Sequence, residues 1–290
     1  MATSPPHRFG QIIGDLLEEI IAPQLEEFCS TRGLYLDKKG ERGAARGGKK
    51  VSWVDKFGNT HDLDFVIEKG GTKAIRGRPL AFIEAAWRRY TKHSRNKAQE
   101  IQGAILPVAE KHDWDKPFLG VVLAGVFTDG SLAQMKSSGF EVMLFPYDTI
   151  IDAFASVGVD AKFDEDTADA DFQVSIDKIE ALNPGTRKTL KDNLINANKP
   201  LLVNFLKQLE QTLDRRIESI LLIPLHGMQN EFETVEAAIE FIEKYDQGKG
   251  KDGDFRKYEV IVRYSNGDKI DASFGEKSGA VAFLRYVEGN

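Results

Sequence analysis

The chain of 290 residues can build one large domain or two smaller ones, each with a buried core. An apolar fraction of 41% and a charged fraction of 29% are those of an ordinary soluble globular protein, and the net charge of −6, taken as a sum, counts against a nucleic-acid partner. The longest apolar run, residues 118–127, is half the length of a membrane-crossing helix and suits a buried strand, so no membrane is expected.

The charge is unevenly spread. Residues 1–116 carry a net +4 and residues 117–290 a net −10. Local positive clusters, rather than the global sum, bind phosphates.

In chain order, residues 9–29 show Ile12, Ile13, Leu16, Leu17, Ile20, Ile21, Leu25 and Phe28 at helical spacing. Pro23 predicts a kink or a split there. The lone Cys29 falls on the apolar side of this helix as a buried structural thiol. It cannot form an internal disulfide, so a reducing cytoplasm is the expected compartment. Residues 38–50 predict a mobile glycine-rich basic arm, with Lys38, Lys39, Arg42, Arg46, Lys49 and Lys50. Strands are predicted over 51–56 and 61–68, joined by a turn at 57–60, and a third over 80–88. A helix follows over 94–111, a strand over 118–127, a short helix over 130–138, a strand over 140–145 and a helix over 148–157. This order predicts an α/β fold with a mixed sheet flanked by helices.

Beyond residue 160 the sequence changes character. Residues 160–171 are acidic and predict a linker, and 173–215 predict two or three helices interrupted by Pro184 and Pro200. In the last part, Phe232, Ala238, Ile239, Phe241 and Ile242 match Phe274, Ala280, Val281, Phe283 and Leu284 at a constant offset of 42. That predicts two strand–strand–helix units. The domain division expected is therefore 1–160, an acidic linker and helical segment at 161–215, and a small α/β module at 216–290.

The chemistry-bearing residues are Asp62 and Asp64 in His-Asp-Leu-Asp-Phe-Val-Ile and Glu84 in Leu-Ala-Phe-Ile-Glu-Ala-Ala-Trp. Side chains alternate across a strand, so Glu84 shares a face with Phe82 and Ala86. A carboxylate among apolar strand residues is costly unless it is paired or binds a cation. Carboxylates converging from adjacent strands form a hard, oxygen-rich site suited to Mg²⁺, with Mn²⁺ as a substitute. Arg88, Arg89, Lys92, His93, Arg95 and Lys97 crowd the strand–helix junction directly after Glu84, where a helix N-terminus also favours phosphate.

On these residues and this element order the chain resembles the PD-(D/E)xK nuclease superfamily, which includes type II restriction endonucleases. The resemblance covers about residues 9–157. It implies a restriction-endonuclease-like core, with Asp64 as the first acid, Asp62 as the runner-up, and Glu84 as the second acid. It also implies a helix-one glutamate near the metal, Glu18 or Glu19, of which Glu19 is taken as ligand. Double-stranded DNA would be the substrate, cut by a homodimer. Lys49 and Lys50 would join Arg88, Arg89, Lys92, His93 and Arg95 on the DNA. The family's lysine belongs two residues after Glu84, where this sequence has Ala86. Lys97 is the best substitute and Arg88 and Lys92 are weaker ones; alternatively the chain is an inactivated nuclease or a DNA-binding module without catalysis. RNA or branched DNA as substrate is not separated from duplex DNA by the residues.

Overall fold

A computed structural model describes residues 4–90, 94–164, 166–225, 228–248 and 255–289. They divide into two compact units: residues up to Lys111 together with Pro117–Leu209, and His112–Lys116 together with 210–290.

The first unit opens with helix α1 (Pro5–Arg32). Proline at its start loses no hydrogen bond, and Gly33 in the left-handed region ends it. The apolar stripe from Phe9 to Phe28 is buried. Pro23 neither splits nor ends the helix, because the burial of that stripe on both sides of it outweighs one lost backbone bond. Strands β1 (Tyr35–Lys38), β2 (Val51–Val54), β3 (Thr60–Leu63), β4 (Phe65–Lys69) and β5 (Arg78–Arg88) follow. Helix α2 (Ser94–Lys111), strand β6 (Phe118–Gly125), helix α3 (Asp129–Ser137), strand β7 (Phe140–Pro146) and helix α4 (Tyr147–Ala155) complete the α/β part.

The main sheet has the order β1-β4-β5-β6-β7. The first two pairings are antiparallel and the last two parallel, so the sheet is mixed, as the sequence predicts. Two details differ from expectation. The predicted strand at 51–56 is not in this sheet; it pairs with β3 as a separate hairpin. The edge position belongs to β1, a four-residue strand too short and polar to stand out. The predicted 61–68 strand is likewise broken in two, with Asp64 at the bend.

The basic arm is not a free arm. Arg42 and Arg46 are buried and close a network on Asp37 of β1 and Glu68 of β4. Arg46 also donates to the carbonyls of Thr72 and Ile75 and stacks on Tyr35. Gly43 sits in the left-handed region, and a side chain there would collide with the Lys73 carbonyl. Buried charges need this degree of pairing, which ties the arm down.

Residues 160–163 do not behave as a linker either. Val159, Ala161 and Phe163 are buried, and Phe163 packs between Phe9 and Phe172. Helices α5 (Asp169–Glu180), α6 (Pro184–Ala197) and α7 (Lys199–Leu213) follow, and Phe205 of α7 meets Phe118 of β6 edge-on. The first unit thus extends well past residue 160.

In the second unit, β8 (Ile217–Leu225), β9 (Asn230–Phe232), α8 (Val235–Lys244), β10 (Lys257–Tyr264), β11 (Lys269–Phe274) and α9 (Lys277–Glu288) form an antiparallel sheet in the order β11-β10-β8-β9. Ile220, Leu222, Tyr258, Val260 and Val262 pack with Ala238, Ile242, Ala280, Phe283 and Leu284 of the two helices. Positions related by the offset of 42 occupy like places: Phe232 and Phe274 on short strands, Ala238 and Ala280 buried on helices.

Candidate active site

Three elements bring charged groups to one place. The chain bends at Asp64 between β3 and β4, and Asp64 Oδ2 accepts the backbone N–H of Ala85 at 2.7 Å. That bond fixes the carboxylate beside β5. On β5, Phe82, Glu84, Ala86 and Arg88 point to one face by strand alternation. Phe82 and Ala86 belong to the same core cluster as Ala98, Ile101, Ile105 and Val108 of α2, so this is the face that α2 covers. Lys97, one turn into α2, lies on that side; its side chain is only 14% exposed.

Electrostatics ties these residues together. Burial first, and then the charge of Asp64, push the Glu84 carboxyl up to about 8, with Lys97 working the other way. Burial also raises Asp64, against the Ala85 N–H and the charges of Lys97 and Lys39. Glu18 of α1 is pushed up to about 7 by burial and then by Asp64, with Lys39 opposing. Glu84 Oε2 is buried and has no hydrogen-bond partner among the described residues. Beside Glu18 a cleft of about 400 Å³ opens between Arg8, Gln11, Gly14, Asp15, Glu18 and Lys39.

The predicted site residues divide accordingly. Asp64, Glu84 and Lys97 come together. Glu19 does not join them: it is exposed, with its carboxylate 3.5 Å from both Arg187 and Lys191 of α6. Glu18, one residue earlier and about 100° around the helix, takes that place. Asp62 is on the β2–β3 hairpin, exposed, bound by Lys50 Nζ and Ser52 Oγ at 2.7 Å each; the Lys50 hydrogen bond holds its carboxyl below the usual range. That removes both Asp62 and Lys50 from the carboxylate pair. Arg89 is turned onto the rings of Tyr90 and Phe172. Lys49 and Arg95 are exposed. Lys92 and His93 lie outside the described residues. Sequence reading missed Glu100 of α2, an exposed acid with no local signal, and did not separate Lys39 from its basic neighbours.

The donor set suits a hard divalent cation. Asp64 and Glu84 offer carboxylate oxygens only, and one buried oxygen is orphaned, an arrangement a cation would satisfy. Among the described residues no three His, Cys, Asp or Glu groups stand together as a ready metal cage. Mg²⁺ does not need one, since it keeps several waters and takes one or two carboxylates.

No family model matches the chain, and no curated protein matches it. Among solved structures, a crystal structure described as a protein of unknown function, AF1548, is similar over 67% of this chain and 98% of its own, with 12% identity and a TM-score of 0.31. A likeness at that level carries no argument about fold or activity. No helix among the described residues is long and apolar enough to cross a membrane.

Proposed function

We propose that the first unit is a Mg²⁺-dependent endonuclease that hydrolyses phosphodiester bonds of double-stranded DNA. The observation that carries this reading is the half-buried pair Asp64 and Glu84, with a buried and orphaned Glu84 oxygen, faced by Lys97 from the covering helix. A structural ion pair would have satisfied both acids; this arrangement leaves them short of positive charge.

Asp64 and Glu84 would hold the cation, with Glu18 at the edge of the site. Mg²⁺ bound there would supply Lewis-acid activation of water and charge neutralisation at the phosphate. The chain does the rest. The Ala85 N–H fixes Asp64 in place. The core around α2 excludes water from the Glu84 face. Lys97 Nζ donates to a non-bridging phosphate oxygen and stabilises the charge that develops there. Ala86 is 4% exposed within the α2 core cluster, so a lysine at that position would carry its charge into apolar surroundings, and Lys97 serves in its stead. Exposed Lys49 and Arg95 extend the positive surface toward duplex phosphates. A symmetric homodimer would present one site to each strand, and a cytoplasmic setting accords with the buried thiol of Cys29.

The test is plasmid cleavage in Mg²⁺ and in Mn²⁺, with EDTA as control. The expected result is nicking or linearisation that EDTA and Glu84→Gln both abolish. Binding of DNA without cleavage by the natural chain, with cleavage restored by Ala86→Lys, would make it an inactivated nuclease. Binding with no cleavage by either would leave a DNA-binding module, and the endonuclease reading falls.

A further inference from the structure

Glu100 stands one turn along α2 from Lys97, and its two carboxylate oxygens meet two different cations. Lys97 Nζ donates to Oε1 at 2.7 Å, and Arg88 Nη2 lies 3.7 Å from Oε2. Arg88 is at the C-terminal end of β5, on the strand face that carries Glu84 and Ala86. Its guanidinium is poorly served for a group only 33% exposed. Nη1 donates to the Trp87 carbonyl at 2.9 Å, and Nε is buried with no hydrogen-bond partner among the described residues. A partly buried arginine with a spare donor is an anion receptor in waiting.

We propose that Lys97 and Arg88 form the receptor for a substrate phosphate, and that the Glu100 carboxylate occupies this receptor in the free protein as a built-in placeholder. The two oxygens of a carboxylate are spaced much like two oxygens of a phosphate, so one pair of donors serves both. Glu100 is 62% exposed and can swing out, whereas Lys97 and Arg88 are held by their elements. The exchange keeps the two cations charge-compensated before substrate arrives. The phosphate is that of the DNA strand, so this rests on the endonuclease reading for its ligand but not on turnover.

The experiment measures affinity for a short fluorescent DNA duplex by anisotropy in EDTA, where nothing is cut, and cleavage separately in Mg²⁺. Glu100→Gln is expected to tighten binding about five-fold or more and to lower KM. In a Lys97→Met background the same change is expected to do nothing, because the receptor is already broken. Glu110→Gln, on the same helix but paired with Lys56, controls for the general effect of removing an acid and is expected to change affinity less than about two-fold. Equal tightening by Glu100→Gln and Glu110→Gln, an effect that persists in Lys97→Met, or no DNA binding by any of these proteins would overturn the proposal. Absence of cleavage in Mg²⁺ with the Lys97-dependent tightening intact would sink the endonuclease reading alone.

Discussion

The backbone N–H of Ala85 donates to Asp64 Oδ2 at 2.7 Å, so the acid at the β3–β4 bend is fastened to the residue that follows Glu84. Asp64 is therefore placed by the strand that carries Glu84. The cost is that two carboxylates share a largely desolvated setting: burial raises both, and the charge of Asp64 adds to the rise at Glu84.

That cost has a pH signature. An unfolded glutamate titrates near 4.5, and folded Glu84 at about 8. Between these values the folded state binds more protons than the unfolded, so stability falls as pH rises through that window and levels off above it. Without divalent cation, Glu84→Gln is expected to gain on the order of 1–3 kcal/mol at pH 8 and nothing at pH 4. Urea melts at the two pH values check this. An unchanged pH slope in the variant would mean that Glu84 is ionised in the folded state.

Cation binding should act on the same pair with the opposite sense. Mg²⁺ binds the ionised carboxylates, so it must displace the proton that Glu84 holds. The expected thermal upshift in millimolar Mg²⁺ is several degrees at pH 8 and smaller at pH 6, and it is lost in Glu84→Gln. Glu19→Gln is expected to keep the full upshift, since Glu19 engages α6 instead. Calorimetric titration with Mg²⁺ gives an independent reading. A response that depends on Glu19 and ignores Glu84 would reverse the assignment.

How far the sequence carried the site is clearest at these two glutamates. The helical stripe of α1 was readable, because its burial is periodic. Which of two adjacent acids turns toward Asp64 depends on how that stripe seats on the sheet, a tertiary matter. Glu84 was readable because a carboxylate in an apolar strand is a local anomaly. Strand β1 was not, because its Asp37 is buried only by virtue of Arg42 and Arg46 from a glycine-rich stretch that reads as open loop. The hairpin residues 51–63 alternate as any sheet strand does, and alternation does not name a partner strand.

Lys97 is expected to act in turnover rather than in folding. Lys97→Met keeps the apolar stem, so stability should change by less than about 1 kcal/mol. Cleavage should fall by about 10²–10⁴-fold. Ala86→Lys in that background is expected to fail as a rescue and to destabilise by about 1–3 kcal/mol, because it drives a charge into the core beneath α2. Restored cleavage in the double variant would show that position 86 can reach the site after all.

The network around Arg46 gives a prediction about folding alone. Arg46 meets Asp37 at 2.9 Å and also pairs with Glu68, all three buried. Removing the cation strands the Glu68 carboxylate and leaves Asp37 to Arg42 alone. Arg46→Met is therefore expected to cost about 3–5 kcal/mol. A loss of less than about 1 kcal/mol would return residues 40–50 to the mobile arm that their composition suggests.

The second unit depends on a segment far from it in sequence. Trp114, between α2 and β6, packs its ring against Phe274, Phe283 and Tyr286 at centroid distances of 6.1, 5.2 and 5.7 Å. Its neighbour Asp115 accepts the Tyr286 hydroxyl, and Arg215 grips the carbonyls of Asp115 and Lys116 at 2.6 and 2.8 Å. Five residues thus complete the core of a module that otherwise begins at residue 210. Trp114→Ala removes an aromatic that three rings surround, and the expected loss is about 2–4 kcal/mol in that module. Amide exchange in β10 and β11 should quicken by the corresponding factor. Arg215→Ala should have a smaller effect of the same kind, since it loosens the segment without emptying the core. Exchange unchanged in both variants would mean that residues 210–289 fold without the segment, and the module could then be excised at residue 210; a strong effect means that any excised version must carry residues 112–116 to fold.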